Sequence, residues 1–335
     1  NGDLRAAHWL YPTLATLAAR MDGKGRFITD VVEVLNETNE ILEDMVFEEA
    51  NGGTSHKIAV RNGLPEAAWR VLYRGVKPST SSVTQVEESI GMLEARALID
   101  EKLLELNGNS ANWLAAEQRP FIEAMNQNMA ETLWYNDGII NPERFMGFAP
   151  RYNDKGAPNG KNIIDAGGTG ANNASIWLIV WSRDTCFGIY PQGSQAGIAS
   201  KDIGINTVVD EEKGRFEAHE KRHRWDLGLC VKDWRYIVRI ANIDVTKLSK
   251  DLSTGANLPD LMADALEMLP SMKGRPAFYM NRTLRRILRG QIQKSAQYTI
   301  SQEQVGGKRV TKFGDGDGVP VRISDALLST EAQVK

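Results

Sequence analysis

One stretch, EQRPFIEAMNQNMAETLWYNDGIINPERFMGFAP from Glu117 to Pro150, constrains the fold more than any other. Pro120 is tolerated in a first helical turn, where its missing N–H would have had no intrahelical partner. Beyond it Phe121, Ile122, Met125, Met129, Leu133 and Trp134 recur at helical spacing, while Glu123, Asn126, Gln127 and Glu131 take the other face. Asp137-Gly138 breaks the pattern. The spacing predicts one amphipathic helix over residues 118–136, roughly 25 Å long from Pro120 at about 1.5 Å per residue. It carries no His, no Cys and no carboxylate pair facing a pocket, so it suits a scaffold.

The 335 residues are enough for one large or two modest domains with a sizeable core. A formal net charge of −3 argues against a chain wrapped in nucleic acid over its whole surface, though not against local basic patches. The two cysteines, Cys186 and Cys230, provide no disulfide framework, which points to a reducing cytosol as the place of synthesis. No run approaches the roughly 18 apolar residues of a membrane span, and SIWLIVW (175–181) is far too short. The first residues lack the apolar core of a signal peptide, so the expectation is a protein that stays inside the producing cell.

Along the chain, Leu14, Leu17, Ala18 and Met21 give a short helical stripe, and Phe27, Val31, Val34, Leu35, Leu42 and Met45 a second. From Glu48 the character turns to β. His56–Arg61, Trp69–Arg74 and Ser82–Ile99 read as strands separated by Asn62–Pro65 and Gly75–Ser82. In the middle run Trp69, Val71 and Tyr73 alternate with Arg70, Leu72 and Arg74. So short a hairpin cannot bury both faces in its own core, which suggests that it projects onto a neighbour. After the long helix and a glycine-rich connection, residues 175–245 form a continuous β-rich section. A helix over 258–269, a buried strand over 276–281, an amphipathic helix over 282–294 and a closing strand over 319–328 complete an α+β pattern.

Candidate chemistry is thin. His219-Glu220-Lys221-Arg222-His223 fits H-E-x-x-H, in which two histidines one helical turn apart hold zinc and the glutamate activates water. That chemistry needs a helix, whereas the context reads as strands, and Glu267 is distant for a third ligand. A zinc hydrolase is therefore the alternative reading, not the preferred one. Gly167–Gly170 lacks the Lys-Ser/Thr of a phosphate loop, and Phe313–Gly318 lacks calcium-loop spacing. No catalytic residue, cofactor or metal ligand is assigned. Arg282, Arg285, Arg286 and Arg289 make a basic stripe opposite Leu284, Ile287, Leu288 and Ile292. It could meet DNA phosphates, pair with acids of a neighbouring subunit, or be solvated.

Asn141-Pro142-Glu143-Arg144-Phe145-Met146-Gly147 resembles the NPExFxG turn that follows the spine helix in major capsid proteins of tailed bacteriophages. The order of arm, projecting hairpin, long helix, turn and mixed remainder resembles the Hong Kong phage capsid fold. LNETNEILEDM (35–45), EANGGTSHK (49–57), RNGLPEAAWR (61–70), ELNGNSA (105–111), FIEAMNQNMA (121–130), IIDAGGTG (163–170) and DWRYIVRIANIDV (233–245) resemble the short-tailed-phage group that includes a Bordetella phage. The resemblance implies an N-terminal arm (1–49), an extended β-hairpin loop (50–99), a peripheral domain with its spine helix (100–165), a β-rich block shared between peripheral and axial domains (166–250), and an axial remainder (251–335). The β-rich block precedes the closing strand–helix–strand, so a permuted strand order is left open. The implied function is a shell protein assembling with itself into pentamers and hexamers around packaged double-stranded DNA. Its implied partners are a portal and a scaffolding or cement protein, with no membrane. Trp69, Arg70, Tyr73 and Arg74 on the loop and Glu40, Glu43 and Asp44 on the arm are the expected inter-subunit contacts.

Overall fold

A computed structural model describes residues 37–106, 111–209, 213–250, 254–294, 300–305, 308–314 and 318–335. The helical stripes expected between Leu14 and Leu35 lie outside the described residues. In chain order the first elements are α1 (Ile41–Asp44), β1 (Phe47–Glu49), β2 (Ser55–Gly63), β3 (Ser82–Asp100), α2 (Glu101–Leu106), α3 (Ala111–Tyr135) and α4 (Phe148–Arg151). Then follow β4 (Ile163–Asp165), β5 (Asn173–Trp181), β6 (Cys186–Tyr190), β7 (Ala199–Val209), β8 (Arg215–Val231) and β9 (Ile237–Asp244). The last are α5 (Leu258–Glu267), β10 (Arg275–Met280), α6 (Arg282–Lys294), β11 (Ile300–Val305), β12 (Lys308–Phe313) and β13 (Val319–Ile323). The chain forms two compact units. Among the described residues, one comprises Glu37, Met92–Met129 and Gly197–Asp226; the other comprises Thr38–Gly91, Ala130–Ala196 and Leu227–Lys335.

The larger unit is built on β5, in which all nine residues are buried. A strand covered on both faces needs an apolar run rather than alternation, and Ile176–Trp181 provides it. Antiparallel β9 and β10 flank it, β13 runs parallel to β10, and β12 and β11 extend the sheet antiparallel beyond β13. Ile176 and Leu178 share an aliphatic core with Leu258 and Met262 of α5 and Leu284, Ile287, Leu288 and Ile292 of α6. The alternate residues Trp177 and Trp181 join an aromatic cluster with Trp134, Phe148, Tyr152 and Tyr279. Strand periodicity thus sorts β5 into one aliphatic and one aromatic face.

A buried charge cluster fastens the C-terminal segment to this sheet. Arg239 of β9 donates from Nη2 to Glu331 Oε2 at 2.8 Å, from Nε to Ser175 Oγ at 3.1 Å and from Nη1 to the Tyr152 carbonyl at 2.7 Å. Its guanidinium lies 5.0 Å from the Trp177 ring centroid. Tyr135 donates its hydroxyl to the other Glu331 oxygen at 2.6 Å. Burial, reinforced by the Glu331 charge, pushes the Tyr135 phenol far above its usual range. Asn242 completes the attachment: its Nδ2 donates to the Val334 carbonyl and its Oδ1 accepts from the Val334 N–H.

In the smaller unit, Ile99, Leu103 and Leu104 pack with Trp113 of α3. β7 and β8 pair over Ala199–Val209 and Arg215–Arg224, with an irregularity at Gly204 where φ is +90°. Arg96 of β3 donates to Glu220 Oε1 at 3.1 Å.

The structure departs from the sequence reading at several places. The long helix begins at Ala111, so Pro120 sits inside it. An interior proline loses one backbone hydrogen bond, at a cost of about 3 kcal/mol. Burial of Trp113 against α2 is the tertiary gain that holds the preceding turns. The apolar stripe is narrower than expected: Met125, Met129, Leu133 and Trp134 are buried, whereas Ile122 is exposed. Trp69–Arg74 is not a strand, and no strand among the described residues pairs with it. The closing strand stops at Ile323, and the following residues run as turns and single bridges. The β11–β12 hairpin was missed, although Gly306-Gly307 between two alternating runs is a two-residue hairpin signal.

Glu331→Ala leaves the Arg239 charge buried and unpaired, which should lower unfolding free energy by about 3–5 kcal/mol. Urea unfolding followed by tryptophan fluorescence measures it. Arg239→Met/Glu331→Leu removes both charges and should lose less than the single variant. A larger loss in the double variant would refute the account.

Candidate inter-subunit surfaces

The β2–β3 hairpin is anchored at one end and bare at the other. Its register runs from Ser55 opposite Ser89 to Gly63 opposite Ser82. Residues 82–87 are exposed without exception, whereas Glu88, Ile90 and Gly91 are buried. Beyond Gly63, Leu64, Trp69, Leu72 and Tyr73 are exposed over 82–101% of their surface. The tip folds on itself: the Arg74 N–H donates to the Val71 carbonyl, Arg70 Nε to the Arg74 carbonyl, and Tyr73 has φ +65°. Asparagine and glycine adopt that conformation readily but tyrosine rarely does. So much apolar surface at the tip lies outside anything its own subunit covers.

At the base, Arg151 of α4 clamps β3. Its Nη1 and Nη2 each donate to one Glu88 oxygen at 2.6 Å, and Nη2 also reaches the Met146 carbonyl at 3.3 Å. Burial opposes the Arg151 charge, but the hydrogen-bonded Glu88 carboxylate outweighs it and holds the pKa above its ordinary value. Close backbone approach supports the clamp. A Cβ on Gly91 would stand 3.3 Å from the Phe145 ring, and one on Gly228 would stand 2.5 Å from the Ser89 carbonyl oxygen. Ile58 and Ile90 are packed with Ala50, Phe187, Ile189 and Cys230.

The Asn141–Gly147 turn folds back on the end of α3. The Gly147 N–H donates to the Asn136 carbonyl at 2.8 Å, and Asn136 Nδ2 donates to the Phe145 carbonyl at 2.8 Å. A Cβ on Gly147 would lie 2.6 Å from the Thr132 carbonyl oxygen, which is why glycine stands at that position.

The arm acids Asp44 and Glu40 are engaged within the chain. Asp44 accepts from Arg322 Nη2 at 2.8 Å and from the Tyr279 hydroxyl at 3.0 Å; burial raises its pKa in spite of the arginine. Glu40 accepts from the Ile323 N–H at 2.8 Å, while the Glu40 N–H donates to the Ile323 carbonyl. These contacts tether the segment to the end of β13 in the same chain. Glu43 is exposed.

The HEKRH segment lies within β8. On a strand, residues four apart are separated by about 13 Å, and adjacent side chains point to opposite faces. His219 Nε2 is 3.1 Å from Asp202 Oδ1, His223 Nδ1 is 2.7 Å from Ser200 Oγ, and Glu220 accepts from Arg96 and Asn206. Among the described residues no group of three metal-ligating side chains converges. The zinc-site reading falls on backbone geometry.

The arginines of α6 divide into two pairs. Arg282 binds both oxygens of Asp325, at 2.7 and 2.9 Å, and Arg285 donates to Thr311 Oγ1 at 2.9 Å. Arg286 and Arg289 are exposed.

Residues 22–335 match the family model described as major capsid protein GP7. No curated protein matches the sequence. A chain in the near-atomic structure of bacteriophage Epsilon15 is 30% identical, with 97% of each chain covered and a TM-score of 0.76. The capsid of bacteriophage JBD30 is 12% identical over 94% of this chain and 98% of that one, with a TM-score of 0.48. The SrpI encapsulin complex of Synechococcus elongatus PCC 7942 is 11% identical over 68% and 95%, with a TM-score of 0.47.

Two predictions follow from these contacts. Arg151→Met should strand the buried Glu88 carboxylate and lower stability by about 3–5 kcal/mol, measured by chemical denaturation. A loss under about 1 kcal/mol, the range of an exposed pair, would mean that the clamp is solvated. The second concerns pH. Burial, followed by the Lys221 charge, lowers the His223 pKa, so the neutral ring is favoured in the fold. Its contribution is complete above the unfolded pKa of about 6.5 and is lost as pH falls through the lower folded value. The His56 pKa is also lowered, by burial first, so both histidines act in the same direction. The melting temperature should therefore drop on acidification below neutral, less steeply in His223→Phe. Superimposable pH profiles would remove His223 from the account.

Proposed function

The chain belongs to the GP7 family of major capsid proteins, and from that membership we propose how its surfaces join copies into a shell. It is a major capsid protein of the tailed-phage type, a virion protein whose work is to form the shell from copies of itself. The extended loop, residues 50–99, lies over an adjacent subunit. Trp69 and Tyr73 provide its apolar anchors, and Arg70 and Arg74 its charged rim. Residues 100–165 serve as the peripheral domain around the long helix, residues 166–250 are shared between peripheral and axial domains, and residues 251–335 complete the axial domain. Copies close into pentamers and hexamers. The chain is made in the host cytoplasm and works with a portal and a scaffolding or cement protein, enclosing double-stranded DNA. Catalysis has no part in this role.

The observation that supports the reading is the contrast along one hairpin: a base fixed by the Arg151–Glu88 clamp and a tip with Trp69 and Tyr73 wholly exposed. Aromatic side chains flanked by arginine are the usual energetic centres of protein interfaces. A partner that covers them gains most where the loop is already held in place.

Electron microscopy of the protein expressed alone and fractionated by size tests this. The wild type should give closed shells, tubes or capsomer rings. Trp69→Ala/Tyr73→Ala should stall at smaller species with unchanged circular dichroism, because neither side chain supports its own subunit. Shells from the variant at wild-type yield would rule out the loop as the contact.

A further inference from the structure

We propose that Arg286 and Arg289 on the outer face of α6 form a sequence-independent clamp for the phosphate backbone of double-stranded DNA. The inference rests on the shell reading, which places a polyanion within reach of the protein.

The helix RTLRRILRGQIQK has five cations and no acid. Leu284, Ile287, Leu288 and Ile292 are buried, so Arg282, Arg286, Arg289 and Gln293 line the solvent side in one stripe. Helix stability does not explain this composition. Arg282 and Arg285 occupy the first turn, where the helix dipole disfavours positive charge. No Glu or Asp stands three or four residues away on the helix to offset the repulsion. The tertiary structure offsets only half of the stripe. Asp325 holds Arg282 and Thr311 holds Arg285, but Arg286 and Arg289 form no hydrogen bond or ion pair among the described residues. The field is felt nearby: burial first, then the charges of Arg289, Arg282 and Arg322, lower the Arg285 pKa, opposed only by Glu40.

The chemistry of the stripe selects the partner. A protein interface is expected to surround its arginines with apolar or aromatic anchors, as the loop tip does, but the exposed positions here are Arg, Arg, Arg and Gln. Single-stranded nucleic acid would call for aromatic stacking, and this face has no aromatic residue. Guanidinium groups one helical turn apart, with no anchor and no base-reading partner, fit neighbouring phosphates of a duplex.

The test is the salt dependence of affinity for a short random-sequence duplex, with unassembled chain isolated by size exclusion. Each arginine that neutralises a phosphate contributes about 0.9 to the slope of log affinity against log salt. Arg286→Ala/Arg289→Ala should therefore flatten the slope by about 2, whereas Arg286→Lys/Arg289→Lys should keep it. Lys102→Ala, on the exposed face of α2, should match wild type. The proposal is overturned if wild type does not bind the duplex or if the double alanine variant keeps the wild-type slope. It is equally overturned if that variant loses shell closure with DNA affinity unchanged, which would make the stripe a subunit contact. Shell formation is scored separately by microscopy. Intact shells with no effect on the slope would remove the clamp alone, while absence of any assembly by wild type would count against the shell reading.

Discussion

The larger unit depends on placing one full charge in its interior and matching it completely. Arg239 sits between the aromatic side of β5 and the C-terminal segment, with Glu331, Ser175 and the Tyr152 carbonyl all accepting from it. A buried ion pair gives little net stability over a hydrophobic substitute, because desolvation consumes most of the attraction. What it imposes is specificity, since the arginine tolerates no arrangement in which the tail is elsewhere. Trp134 bonding to Ser324, Tyr135 to Glu331 and Asn242 to Val334 all act in the same sense. A terminal segment with almost no regular structure is thereby fixed by polar contacts to residues far away in sequence.

The extended hairpin uses the opposite strategy. Its outer residues bury almost nothing in their own chain, and the proposed shell contact would cover them. A free loop with this composition would be both mobile and adhesive. The Glu88–Arg151 pair and the close glycines at Gly91 and Gly228 reduce the first problem by fixing the base. The second is inherent in a subunit whose interface exceeds what its own core can cover, and closed symmetric assembly is the arrangement that resolves it. The arginine face of α6 is a different kind of surface, with charge but no apolar anchor.

Much of the architecture was legible because the signals were local. The apolar run of β5, the 3.6-residue period of α6 with its bounds, and the helix of α5 with Pro259 in its first turn all follow from spacing and backbone chemistry. The loop was legible as an extended excursion but not in detail: the alternation over Trp69–Arg74 mimics a strand, and pairing requires a neighbour that none of the described strands provides. The start of α3 was hidden because Pro120 is a strong local stop signal that burial of Trp113 overrides from a distance. The Arg239–Glu331 pair could not be read at all. Nothing in either residue's local sequence marks it as buried, and their partnership exists only through the fold.

The HEKRH segment shows why a pattern must be read with its backbone. The zinc motif is a statement about helical geometry, in which positions four apart share a face within reach of one ion. On β8 the two histidines stand about 13 Å apart and Glu220 points to the opposite face, and each has its own partner: His219 with Asp202, His223 with Ser200, Glu220 with Arg96 and Asn206. The cations Lys221 and Arg222 then fall among them as ordinary strand residues rather than as competitors of a metal. The same reasoning runs in the other direction at α6, where the helix is confirmed and the spacing does converge. Arg282, Arg286 and Arg289 share one face because the backbone puts them there, and charge on that face has a geometric meaning that the five residues of β8 lack.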